Sequence, residues 1–180
     1  MKKTLACLLF LGAALPLSAA AGTYTLAQFS GPGIGVIPWG PGGDPVLGQP
    51  FGPRHNVVRG IPPHSEVWRV GNITASVRSD GMLSLSADGL LIASGDEIGT
   101  NRTNIPFQAV LTCDNAANSY YVSGPATYMA QASGKLVISG KLSAFDQGIP
   151  IPLPKVCDKP VLLIWHAGLL QWVAAANPLP

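Results

Sequence analysis

Ile73-Thr74-Ala75-Ser76-Val77-Arg78-Ser79-Asp80-Gly81-Met82-Leu83-Ser84-Leu85-Ser86-Ala87 is the stretch that decides the fold. Ile73, Ala75 and Val77 alternate with Thr74, Ser76 and Arg78, and Leu83, Leu85 and Ala87 alternate with Ser84 and Ser86. A period of two buries one face of a strand and leaves the other to water. Asp80-Gly81 joins the two runs as a hairpin turn, because Gly takes the positive φ that a tight turn requires. Asp88-Gly89 predicts a second hairpin into Leu90-Leu91-Ile92-Ala93, so that three strands form a meander. Upstream, Trp68 and Val70 have the opposite parity to Ile73, and Gly71-Asn72 is where a bulge or bend restores the inward set.

Alternation continues downstream. Phe107, Ala109, Leu111 and Cys113 share one face, and Leu136, Ile138, Leu142 and Ala144 share another, with Gly140 as a candidate bulge. Tyr120–Val122 and Ala126–Ala132 are weaker strands around Gly124-Pro125. Gly148–Pro154 mixes Ile and Leu with Pro and is excluded from a sheet centre, where every backbone N–H is needed. Val161–Trp165 and Leu169–Ala174 close the chain as two apolar strands. About eight short strands with regular turns predict an all-β fold, an antiparallel β-sandwich or small barrel, over residues 64–180.

Residues 22–63 read as a Gly/Pro-rich extended segment ahead of that domain. Nine Gly and eight Pro fill residues 31–63. Pro removes backbone donors and Gly raises the entropy lost on ordering, so neither a helix nor a central strand is expected there. Residues 1–21 read as a secretory signal peptide: basic Lys2-Lys3, an apolar run to Leu15, then small residues up to Ala21. The apolar run is shorter than the roughly 20 residues of a membrane span. The C-terminal apolar stretch is interrupted by His166, Gly168 and Gln171, so no span is expected once the signal is removed. The expected location is therefore secreted or periplasmic.

Only 11% of the residues are charged, against about a quarter in a typical soluble domain. With Lys2 and Lys3 removed, nine basic residues face nine acidic ones. A neutral chain without a basic cluster excludes an electrostatic nucleic-acid footprint. Cys113 and Cys157 remain after signal removal and are expected to form a disulfide in an oxidising compartment. On chain-entropy grounds the loop it closes is worth about 4 kcal/mol.

Little in the sequence carries chemistry. No G-x-S-x-G elbow, H-x-x-x-H or H-E-x-x-H occurs, and the disulfide excludes a cysteine nucleophile. No metal or cofactor is expected. His55, His64 and Glu66 could converge near the end of the Gly/Pro segment, but these histidines are expected to be solvated loop residues. Asp96-Glu97 is the only adjacent acidic pair, in a polar loop suited to a ligand or a weak Ca²⁺ site. Tyr120, Tyr121 and Tyr128 are candidate ring contacts for a sugar, and strand alternation puts either Tyr120 or Tyr121 outside. The expected function is that of an exported, non-enzymatic protein that binds or associates structurally with an unknown protein or glycan. The alternatives are a glycan-binding module and a small secreted hydrolase using Asp96 and Glu97 with His55, His64 or His166. Assembly into a surface complex through the Gly/Pro arm is a third.

Overall fold

The computed structural model describes residues 23–36, 57–102, 104–114, 120–124, 128–146 and 149–179. The expected signal peptide, His55 and most of the Gly/Pro block lie outside them. The described chain is all-β. Its strands are β1 (Thr25–Pro32), β2 (Ile34–Gly35), β3 (Trp68–Arg69), β4 (Asn72–Arg78), β5 (Met82–Ala87) and β6 (Leu91–Ile92). There follow β7 (Phe107–Thr112), β8 (Tyr120–Ser123), β9 (Leu136–Asp146), β10 (Ile149–Ile151), β11 (Val161–His166) and β12 (Gln171–Ala176).

The main sheet runs β1-β4-β5-β9-β8-β7-β11-β12-β2, with β10 on the edge of β9. Every strand pairing is antiparallel. β1 and β2 stand at opposite ends of this path, yet only Gly33 separates them in the chain. The path therefore returns on itself as a nearly closed barrel. The C-terminal tail completes the seam, where the Ser30 amide donates to the Asn177 carbonyl (3.3 Å) and the Leu179 amide to the Gln28 carbonyl (3.0 Å). Residues 25–36 are thus barrel wall, ahead of the point where alternation makes the domain begin.

Alternation reads the β4–β5 half correctly. Ile73, Ala75, Val77, Leu83, Leu85 and Ala87 are all buried, while Thr74 and Ser84 face solvent. β7 and β11 differ, because Val110 and Leu163 on the second face are as buried as Leu111 and Leu162. Sheets covered on both faces read as continuous apolar runs, which explains Val161–Trp165.

Three expectations need correction. β6 does not continue the meander: it pairs with β3 in a separate two-stranded sheet, and β9 takes the second edge of β5. Asp88 turns its backbone to Asn72 and Gly71, which steers the chain off the sheet. Gly140 is not a bulge but sits in regular register opposite Leu83. A Cβ there would lie 2.9 Å from the Tyr128 hydroxyl, so its bareness makes room for that ring. Leu169 and Leu170 do not begin β12; they lie in the β11–β12 turn, each 53% exposed.

Closure demands bare backbone at the β1–β2 corner. A Cβ at Gly35 would stand 2.0 Å from the Trp68 carbonyl oxygen. Backbone cannot yield as a side-chain tip can. Gly35→Ala is expected to lower unfolding free energy by about 3 kcal/mol, at the upper end of overpacking costs. Gly99→Ala is the comparison, with open space around it and only the strain of φ +84°. Urea denaturation of both variants checks this; equal losses would show that the corner tolerates a side chain.

Candidate site at the imidazole end of the barrel

The Pro62–Trp68 segment is fastened at both ends. The Trp172 amide donates to the Pro62 carbonyl (3.0 Å), and the His64 amide donates to the Trp172 carbonyl (2.8 Å). At the far end the Trp68 amide donates to the Val36 carbonyl (3.1 Å). Between these anchors the chain folds back over the His64 ring. His64 Nδ1 accepts the Glu66 amide (3.1 Å) and the Trp68 indole N–H (3.3 Å). The Trp68 ring stands edge-on to His64 and to Phe107, with centroids 5.8 Å away in each case. His64 is only 5% exposed.

His166 ends β11 beside it, with the ring centroids 5.6 Å apart. Its Nδ1 accepts the Leu169 amide (3.1 Å), and its carbonyl accepts the Leu169 and Leu170 amides. A third element, the loop between β6 and β7, brings Arg102. Arg102 Nη2 lies 2.5 Å from Glu66 Oε1, and its Nε donates to Glu97 Oε2. The other carboxylate oxygen, Glu66 Oε2, is buried without a hydrogen-bond partner and lies 3.9 Å from His64 Nδ1. Arg102, Asn104 and Leu170 hold positive φ of 41°, 108° and 56°, as do Arg59 and Lys159 near the disulfide, at 48° and 43°. Non-glycine residues rarely hold such conformations away from functional or tightly determined sites.

The chemistry follows from the hydrogen bonds. A ring nitrogen that accepts N–H groups is unprotonated, so each neutral imidazole carries its proton on Nε2. Burial holds both rings below the ordinary histidine pKa. For His64, Glu66 pulls upward while His166 and Arg102 push further down. For His166, the backbone hydrogen bond and Glu66 pull upward against burial. At neutral pH these are two uncharged rings whose basic nitrogens are already occupied. Neither is poised to take a proton from a substrate.

The other candidate residues are dispersed. Asp96 and Glu97 sit in a 3₁₀ turn, Gly95–Glu97, and Glu97 is bound to Arg102. Among the described residues no three His, Cys, Asp or Glu side chains come together as a metal requires. Tyr120 is 44% exposed and stands edge-on to Trp165, with centroids 5.7 Å apart. Tyr121 points inward, where its hydroxyl donates to the Pro152 carbonyl and burial raises its pKa. Tyr128 donates its hydroxyl to the Ser139 carbonyl. Tyr120 and Tyr128 pair with opposite ends of β7, at Thr112 and Phe107, about 17 Å apart at strand rise. The three rings therefore form no common platform.

Alternation marks Tyr120 and Tyr121 as opposite-facing, and proximity in sequence hints at His64 with Glu66. Nothing in the sequence signals His166 or Arg102 as their neighbours. Cys113 and Cys157 are bonded, with Cα atoms 5.0 Å apart. No described helix is long and apolar enough to cross a membrane. Compared with protein-family models, curated proteins and solved structures, the chain matches none.

Replacing His64 strands the buried Trp68 indole N–H and the part-buried Glu66 amide, while removing Arg102 breaks its ion pairs to the half-buried Glu66 and the more exposed Glu97. His64→Phe is expected to cost about 1–3 kcal/mol, and Arg102→Ala less than that. Chemical denaturation at pH 7.5 checks the order; a larger loss for Arg102→Ala would reverse the assignment.

Proposed function

We propose that this protein is exported and acts without catalysis, by binding or structural association outside the cytoplasm. The supporting observation is the fate of its reactive groups. His64 and His166 spend their basic nitrogens on N–H groups of the same chain, Glu66 and Glu97 share Arg102, and the two cysteines are bonded together. A hydrolase needs a base with an open lone pair within reach of a nucleophile. The disulfide and the leader-like residues 1–21 support export.

Tyr120 is the surface group best suited to hold a ligand. Its ring is half open to solvent and braced against Trp165, whose indole N–H donates to Gln108 (3.1 Å). A braced ring loses little freedom when a flat apolar face, such as that of a sugar, stacks on it. Glycan is the ligand class this favours. The expected result is array binding by the mature chain that Tyr120→Ala reduces at least tenfold. Tyr121→Phe serves as control, since that ring is buried. A blank array would remove the glycan reading and leave protein association. Turnover in a hydrolase screen that Asp96→Asn with Glu97→Gln abolishes would overturn the non-catalytic reading.

A further inference from the structure

We propose that the His64–His166 pair is an acid-triggered switch at the barrel end. Protonation of Nδ1 on each ring exchanges the His64–Trp68 hydrogen bond for a His64–Glu66 ion pair and frees the Leu169 amide from the His166 ring, while the His166 carbonyl keeps its bonds to the turn. Each ring takes one proton from solvent.

The geometry supplies both the break and the replacement. A proton on His64 Nδ1 would point at two donors, the Glu66 amide and the Trp68 indole, so both contacts must part. A proton on His166 Nδ1 would do the same to the Leu169 amide. The new partner is already in place. Glu66 Oε2 is the single buried side-chain oxygen or nitrogen without a partner among the described residues, and it waits 3.9 Å from His64 Nδ1. Closing that gap by about 1 Å forms a charge-assisted hydrogen bond.

The surrounding charges set the order of events. His64 faces Glu66 from its own segment, His166 from β11 and Arg102 from the β6–β7 loop, with Glu97 partly neutralising Arg102. His166 faces Glu66 and His64. With ring centroids 5.6 Å apart, the first charge opposes the second, so the rings titrate as a coupled pair. Burial lowers both folded-state values beneath 6.5, so the unfolded chain takes up protons first as pH falls. Stability is therefore at its plateau above pH 6.5 and declines as pH drops through the folded values.

The test is NMR of the mature chain, titrated from pH 7.5 to 5. The Trp68 indole N–H and the Leu169 amide resonances are expected to move with the His64 and His166 ring signals. Glu66→Gln removes the waiting negative charge and is expected to lower the His64 midpoint by about one pH unit. His166→Gln removes the like charge and is expected to raise it. Far-UV circular dichroism unchanged over the same range would show that the wall stays closed. Indole and amide signals that stay fixed while the rings titrate would overturn the switch. So would a Glu66→Gln midpoint equal to or above that of the parent. The wild-type titration alone decides the matter if a variant fails to fold.

Discussion

Gly35 lies so close to the carbonyl of Trp68 that no side chain fits between them, and the rest of the structure is arranged around that contact. β2 is only two residues long, yet it works on both sides. Ala174 and Ala175 pair with it from β12, and Val36 just beyond it donates to Val173 and accepts from Trp68. One backbone strip thereby joins the end of the main sheet to the small β3–β6 sheet. Gly33, before it, is equally confined, since a Cβ there would lie 2.6 Å from the Val70 side chain. Barrel closure and the placement of Trp68 are thus one event, and Trp68 in turn orients His64.

The two ends of the β7–β11 pair are secured by different physics. At the Thr112–Val161 end the Cys113–Cys157 bond is joined by polar contacts. Asp114 pairs with Lys159 (2.9 Å) and Arg59 (3.1 Å), and Arg59 also donates to Thr112 and the Lys159 carbonyl. Those cations hold the Asp114 carboxyl below its usual range, with Lys159 the larger influence. A covalent staple of about 4 kcal/mol dominates there. At the Phe107–His166 end the fastening is non-covalent: hydrogen bonds to imidazole nitrogens, each worth about 1 kcal/mol net, beside the Arg102 ion pairs to Glu66 and Glu97. Acid leaves the first end's disulfide untouched and acts directly on the second.

What was legible in the sequence was local. The Ile73–Ala87 hairpin could be read because its pattern, its Asp80-Gly81 turn and its pairing lie within fifteen consecutive residues. Asp88-Gly89 looks the same in sequence, but the backbone bonds of Asp88 to Gly71 and Asn72, and of the Leu90 amide to the Gly134 carbonyl, carry the chain elsewhere. No local signal distinguishes the two turns. The β1–β2 corner was hidden by the same Gly and Pro residues that make it possible, because composition marks breakers without showing what approaches them. Tyr121 inside and Tyr120 outside follow from parity, although parity does not name which is which. The pairing of His64 with His166 joins residues on distant strands through closure, and no spacing encodes it.

Strain explains why the imidazole end needs so many contacts. Arg102, Asn104 and Leu170 each hold an unfavourable φ, at a cost of order 1–3 kcal/mol apiece. Such conformations persist only where the surroundings over-determine them. Glu66 and Glu97 grip the Arg102 guanidinium from two sides, and His166 holds Leu169 and Leu170 through its ring and its carbonyl. The ties that oppose the strain are therefore the ones that run through Glu66 and His166. Glu66 carries its charge beside the His64–His166 pair, and His166 is one of its two rings. A change in protonation at that pair alters the very contacts that keep the strained loops in place, whereas the exposed serine and threonine face of β4 and β5 has no such dependence.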